Sequence, residues 1–297
     1  MNPLEYTHGL TEVVDKLADS NSYQELFHEQ RDGELLPSSK ALDTVVELCR
    51  SVLFPGYFGN SSINRRTIKY HIGVNIEKIF DMLTDQIFAG LCFTRSHNDE
   101  DCREIKRGEA VLLARKFIEK LPEMRHLLAT DVRAAYDGDP AAQSIGEVIC
   151  CYPAIRAISS HRIAHELLKL DVPLIPRMIS ELAHSETGID IHPGAQIGSY
   201  FTIDHGTGVV IGATTIIGDH VKLYQGVTLG AKSFPLDENG QPIKGILRHP
   251  IIEDGVIIYS NATILGRIRI GKNAVIGGNI WVTQDIKANS RIVQSNA

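Results

Sequence analysis

The sequence predicts an α+β chain in which an N-terminal all-α helical domain is followed by a C-terminal solenoid of parallel β-strands. Three observations predict it: a six-residue recurrence of aliphatic residues in the last third, helical periodicity before it, and a glycine where one gives way to the other. The recurrence runs unbroken through Ile252, Ile258, Ile264, Ile270, Ile276 and Val282. An earlier run occupies Ile191, Ile197 and Ile203, and after a two-residue shift it resumes at Ile211, Ile217, Leu223 and Leu229. Six is a multiple of the two-residue strand repeat, so these side chains point the same way along extended backbone. It is a poor multiple of the helical turn, which sets a long amphipathic helix aside. A beat this short, sustained this long, marks stacked coils with three hexads to the turn. The position four after each anchor is mostly small or β-branched, as at Ala195, Thr215, Val227, Ala262 and Ala274, with Phe201 the bulky exception. Gly or Asp often follows an anchor, as at Gly198, Asp204, Gly212 and Gly230, where a corner needs backbone freedom.

Up to about residue 186 the apolar residues recur three and four apart. Between Thr67 and Leu91 they fall at Ile68, Ile72, Ile76, Ile79, Phe80, Leu83 and Ile87. Further helices are predicted over 8–19, 39–53, 101–120, 123–135, 140–150, 152–169 and 173–185, punctuated by Pro122, Pro140, Pro153, Pro173 and Pro176. Gly188 marks the change to strands. The chain therefore divides into a helical domain, 1–186, and a β-domain, 187–297, with a loop insertion at 230–250. That insertion breaks the beat, carries Asp237-Glu238-Asn239-Gly240 and two internal prolines, and leaves the solenoid. The first 60 residues show no chemistry and read as a helical extension that packs or oligomerises.

Composition narrows the class. The chain has 297 residues, 43% of them hydrophobic, and a net charge of -6, which suits one or two soluble domains and argues against nonspecific nucleic-acid binding. No apolar run approaches a membrane span, and the N-terminus does not read as a signal peptide. Five cysteines without a Cys-x-x-Cys pair fit a reduced, cytoplasmic protein. The adjacent Cys150 and Cys151 are expected to pack within a helix.

Two motifs hold candidate chemistry. Asp190-Ile191-His192-Pro193 opens the solenoid, and Asp204-His205-Gly206-Thr207-Gly208 follows in the early coils. Asp190 precedes one anchor and Asp204 follows another, so both lie near strand ends where neighbouring coils bring side chains together. A histidine beside carboxylates is suited to general-base work, because the carboxylate orients the ring and stabilises the imidazolium. Other readings stay open at this level. Taken alone, His205 fits a structural or surface histidine better, and His192 adds a metal-ligand reading. Asp139 before Pro140 fits a helix cap, and Arg248-His249 fits a solvated loop end. His161 and His165, four apart on a helix, read as interhelical packing with a metal pair as the alternative.

These motifs, together with Gln225-Gly226-Val227-Thr228-Leu229-Gly230, Arg248-His249-Pro250, Asp139-Pro140-Ala141 and Arg162-Ile163-Ala164-His165, closely resemble the serine O-acetyltransferases, a family of hexapeptide-repeat acyltransferases. The resemblance spans roughly residues 120–285. It implies a left-handed parallel β-helix, acetyl-CoA as co-substrate with no permanently bound cofactor or metal, and L-serine as acceptor in the first step of cysteine biosynthesis. It implies His205 as general base with Asp190 orienting it, Asp139 and Asp204 receiving the serine ammonium, and Arg248 its carboxylate with His249 beside it. It further implies a homotrimer or dimer of trimers with sites between adjacent prisms, and cysteine as a feedback inhibitor.

Physical chemistry agrees with such a site: serine is a zwitterion needing one cation and at least one anion, and its hydroxyl needs a positioned base. Direct attack on the thioester requires no covalent enzyme intermediate once both substrates are held together. Backbone N–H groups on coil edges are expected to bind acetyl-CoA, with Gly230, Ala231, Ser260, Gly266 and Lys272 as candidates.

Two departures stand out. The 230–250 loop is longer than the short Gly-rich loop of many relatives. The chain also ends at Ser295-Asn296-Ala297, not in an Ile-terminated tail, so a complex with O-acetylserine sulfhydrylase is not expected. The competing functions are a hexapeptide acyltransferase with another acceptor, a metal hydratase using His192, His205 and His220, and a noncatalytic scaffold.

Overall fold

A computed structural model describes residues 3–24, 26–29, 36–59, 62–94, 102–233 and 235–294. The last three residues, on which the sulfhydrylase expectation rests, lie outside them. Residues 1–35 form one compact unit and residues 36–297 another. In the first, α1 (Pro3–Leu17) is followed by the single turn α2 (Ser20–Tyr23), and α1 exposes Leu10, Val13, Val14 and Leu17.

The second unit begins with α3 (Ser39–Leu53), whose first turn is capped by Ser38 Oγ accepting from Ala41 N at 3.3 Å. Then come α4 (Ile68–Thr94), α5 (Cys102–Gly138), α6 (Ile145–Cys151), α7 (Pro153–Lys169) and α8 (Ile175–Thr187). The two helices expected on either side of Pro122 are one, because α5 runs through the proline. Proline removes one donor, but Leu121, Met124 and Leu128 beside it are all buried, and a continuous helix is what keeps them on the core face. The helix expected from 140 starts only at Ile145, where Ser144 Oγ accepts from Glu147 N at 3.1 Å. Cys150 and Cys151 are exposed, contrary to expectation, since α6 turns Val148 and Ile149 inward instead. Gly188 ends α8 at φ 69 with its N–H on the His184 carbonyl, a left-handed cap that turns the chain into the solenoid.

Strands of two or three residues build three parallel sheets. The first face stacks β1 (Asp190–Ile191), β4 (Val210–Ile211), β7 (Thr228–Gly230), β10 (Thr263–Leu265) and β13 (Trp281–Val282). The second stacks β2 (Gln196–Ile197), β5 (Ile216–Ile217), β8 (Ile251–Ile252) and β11 (Arg269–Ile270). The third stacks β3 (Thr202–Asp204), β6 (Lys222–Tyr224), β9 (Ile257–Ile258), β12 (Val275–Ile276) and β14 (Arg291–Ile292). The anchors meet in register: Ile191 pairs with Ile211, Ile211 with Leu229, Leu229 with Ile264, and Ile264 with Val282. Ile292 extends the third ladder beyond the last anchor legible in the sequence. Ala195, Val221, Val227, Val256, Ala262 and Ala274 are fully buried at the corners.

A buried ion pair joins the helices to the first coil. Arg162 on α7 donates to both carboxylate oxygens of Asp131 on α5, at 2.7 and 2.9 Å. Asp131 Oδ1 also accepts from Phe201 N at 3.0 Å, and Arg162 donates to the Gly198 carbonyl at 2.8 Å. Thr130 Oγ1 accepts from Tyr200 N at 2.9 Å. The turn leading into β3 is thereby held by the same helix that ends at Gly138.

Candidate active site

The corner between β3 and β4 is where the six-residue beat gains two residues. His205 sits there at φ 58, followed by Gly206 at φ 96 and Gly208 at φ 80. A Cβ on Gly206 would run into the Ile189 side chain, and left-handed backbone disfavours one anyway. This backbone turns His205 outward, with its side chain 74% exposed and Nε2 3.8 Å from Asp204 Oδ1. Asp139, just past α5, faces the same space. A concave pocket of about 270 Å³ is walled by Asp139, Tyr152, Asp204 and His205, with Ala154 and Ile203 as apolar lining.

Asp139 does not cap a helix. Its Oδ1 accepts from Ala141 N at 2.8 Å, closing a short turn, while its Oδ2 accepts from the Tyr152 hydroxyl at 2.5 Å. These hydrogen bonds, the tyrosine's first, hold the Asp139 carboxyl below its usual range. The same bond pushes Tyr152 up to about 12. At neutral pH the pair is therefore carboxylate and phenol, and the pocket keeps a fixed negative charge. Lys222 Nζ lies 3.1 Å from Asp204 Oδ2 and donates to the Gly138 carbonyl at 2.8 Å.

Asp190 begins β1, and its N–H donates at 2.9 Å to the Val209 carbonyl at the end of the His205 corner. Among the described residues its carboxylate makes no hydrogen bond or ion pair with His205; Asp204 is the acidic partner recorded there.

Arg248 and His249 lie elsewhere, at the corner between the first and second faces where the 230–250 loop rejoins the solenoid. Thr214 organises them: its hydroxyl accepts from Arg248 N at 3.0 Å and His249 N at 3.2 Å. Thr214 N donates to His249 Nδ1 at 3.1 Å, which assigns the ring proton to Nε2. The imidazole is packed over Gly212, where any Cβ would collide with it. Burial, then the neighbouring Arg248 charge, lowers the His249 pKa to about 4, so the ring is neutral at physiological pH. Arg267 Nη1 donates to the Thr214 and His249 carbonyls at 2.7 and 2.9 Å and closes the corner.

One chain thus brings Asp139, Asp204 and His205 together, sets Asp190 at the foot of their corner, and holds Arg248 and His249 at the opposite edge of the first face. Of the acetyl-CoA candidates, Gly230, Ala231 and Gly266 share the Arg248 corner, where Gly266 N donates to the Gly230 carbonyl at 3.0 Å. Ser260 lies at the His205 corner two coils on. Lys272 lies at the third corner, 3.5 Å from Asp254. His161 is buried and its ring lies 5.6 Å from that of His165, which is 2.8 Å from the Pro193 carbonyl. Among the described residues no group of three or more His, Cys, Asp or Glu could hold a metal ion. Sequence reasoning missed Tyr152, Lys222, Thr214 and Arg267. Only Lys222 carried a signal, as an outward charge one residue before the anchor Leu223.

No protein-family model matches the chain. A plasmid-encoded serine acetyltransferase from Synechococcus elongatus is 48% identical over 290 residues, covering 97% of this chain and 91% of that protein. Serine acetyltransferase 1 from Entamoeba histolytica, solved in complex with L-cysteine, superposes with a TM-score of 0.74 at 34% identity, covering 97% and 96% of the two chains. Isoform 3 from the same organism, also solved with cysteine, gives 0.71 at 33% identity, covering 93% and 90%. This similarity runs through both the helices and the solenoid, and the chain belongs to the serine acetyltransferase family.

Proposed function

We propose that the chain transfers the acetyl group of acetyl-CoA to the hydroxyl of L-serine, giving O-acetyl-L-serine and CoA. The observation that carries this reading is the pocket in which an exposed histidine shares walls with two carboxylates. Asp139 and Asp204 receive the ammonium of serine. That places its hydroxyl toward His205, whose imidazole takes the proton as the oxygen attacks the thioester carbonyl. The C–O bond forms, the tetrahedral oxyanion collapses, the C–S bond breaks, and the imidazolium returns its proton to the CoA thiolate. Asp190, at the strand end beside the corner, is the residue we assign to orient the ring once substrate is bound.

The serine carboxylate needs a cation, and Arg248 supplies a planar two-pronged one. Because Arg248 and His205 occupy opposite edges of one face, we assign them to a shared site between neighbouring subunits of a homotrimer, alone or paired into a hexamer. Neutral His249, with Nε2–H available, is suited to donate to the oxyanion or the substrate carboxylate. Acetyl-CoA lies along the coil edges at Gly230, Ala231 and Gly266, with Ser260 and Lys272 reaching it from other corners. Cysteine has the shape and charges of serine, so the same pocket takes it as an inhibitor; the Entamoeba relatives solved with cysteine support this. Cys49, Cys150 and Cys151 are free thiols, which supports work in the reducing cytoplasm.

The test is CoA thiol release with L-serine, homoserine, phosphoserine or no acceptor, for wild type and His205→Ala. Serine-dependent release that collapses in the variant is the expected result. Release with a different acceptor alone would reassign the substrate, and release unaffected by the substitution would remove His205 as base.

A further inference from the structure

Lys222 borders the acceptor pocket, and the reaction outlined above assigns it nothing. It takes an outward position on β6, in register with Thr202 on β3 and Ile257 on β9. A lysine on a solenoid face ordinarily extends into water, yet this side chain is only 17% exposed and folds against its neighbours. Nζ lies 3.1 Å from Asp204 Oδ2, 2.8 Å from the Gly138 carbonyl and 4.7 Å from the centre of the Tyr224 ring. Gly138 is the last residue of the 37-residue α5, so its carbonyl stands at the negative end of a long helix. Asp139 follows immediately. A single ammonium therefore bridges the two arms of the pocket, one ending in Asp139 and the other in Asp204.

Two carboxylates converging on one partly open pocket repel each other; Tyr152 and Ala141 already hold Asp139, so without a nearby cation it is Asp204 that swings away or takes up a proton. Either response would spoil a site that must accept an ammonium between them. A lysine that merely occupied the ammonium's place would have the opposite effect, and its removal would tighten binding. We infer that Lys222 is a positioning residue of the acceptor site, tying the end of α5 to β3 so that Asp139 and Asp204 converge on the ammonium of the incoming amino acid. This rests on the serine reading of the pocket.

The experiment compares wild type with Lys222→Met, Lys222→Gln and Lys222→Arg, measuring KM for serine, KM for acetyl-CoA, kcat and the melting temperature. Loss of the charge is expected to raise KM for serine about tenfold, the scale of one charge-assisted contact, and to leave KM for acetyl-CoA unchanged. Gln keeps a donor for the Gly138 carbonyl without the charge and should follow Met; Arg should restore most of the serine affinity. An unchanged or lower KM for serine in Met and Gln overturns the inference. So does an equal rise in both KM values with a fall in melting temperature, which would mark Lys222 as a structural staple alone. A wild type without serine-dependent release would withdraw the serine reading and this inference with it, whereas an active wild type with indifferent variants removes this inference alone.

Discussion

The coils at the C-terminal end of the solenoid and those at its start are built from the same hexad, but they behave differently. From Ile252 to Val282 the beat is unbroken, and Ile264 pairs with Val282 eighteen positions later. In the early coils Ile191 pairs with Ile211, twenty positions on, and Leu229 with Ile264, thirty-five on. The two extra residues fall at the corner that carries His205, and the long insertion ends in Arg248 and His249. A regular corner has room for one small or β-branched side chain pointing inward, as at Ala262 and Ala274. An added residue has no inward place. It faces out, as His205 does; the left-handed backbone itself is shared with regular corners, at Asn261, Asn273 and Asn279. Regular coils carry stability; interrupted corners present chemistry.

The largest expected effect breaks chemistry and leaves the coil intact. His205→Ala should lower serine-dependent kcat by about a thousandfold, within the usual range for a general base, while the melting temperature stays unchanged because the side chain is mostly exposed. His205→Gly should be equally inactive and melt no lower than wild type, since glycine accepts that backbone freely. A clear fall in melting temperature for the glycine variant would contradict the claim that this corner gives up local stability for exposure.

Ile264→Ala is the complementary substitution in a regular coil. The side chain is fully buried, so urea unfolding should show a loss of about 2–5 kcal/mol, with KM for serine unchanged in whatever remains folded. A large shift in KM would mean that regular coils also tune the site.

His249 sharpens the comparison through pH. In the folded chain it takes up a proton only near pH 4, against 6.5 for an unperturbed histidine. The unfolded state binds more protons between those values, so the stability contributed by neutral His249 is present above pH 6.5 and lost as pH falls toward 4. The full loss is up to about 3 kcal/mol. Unfolding curves of wild type and His249→Asn should converge as the pH drops through that window; parallel curves would show that the ring is not held neutral by the corner. The smallest effect belongs to Gly212→Ala, which places a methyl against the His249 ring. It should cost about 1–3 kcal/mol and weaken serine binding by displacing the loop end, whereas Gly240→Ala on the open insertion, at positive φ, meets no neighbour and should leave serine binding untouched.

Where sequence reasoning succeeded, the relevant physics was periodic. Anchors six apart predicted a solenoid of parallel strands with those anchors inside, because strand alternation repeats every two residues whatever the rest of the chain does. Where it failed, the outcome depended on distant packing. Pro122 was read as a boundary because one lost hydrogen bond is visible in a sequence and the burial of Leu121 and Met124 is not. Cys150 and Cys151 were expected inside because cysteine is usually buried, but a seven-residue helix has only one face to turn inward. Asp139 was read as a possible cap, yet the helix begins at Ile145 and Tyr152, thirteen residues on, takes its carboxylate.

The sequence by itself determined the solenoid, its inward anchors and the residues able to accept a proton or hold a zwitterion. It did so because a short repeat leaves few ways to bury its aliphatic residues, and because side-chain chemistry belongs to the residue. Only the tertiary structure decided which of those residues meet. Eighty-four positions separate Gly138 from Lys222, and no local rule links them. Their contact exists because the Asp131–Arg162 pair seats α5 and α7 on the first coil. The same seating leaves His205 and Arg248 on opposite edges of one face, since a rigid prism carries its corners apart.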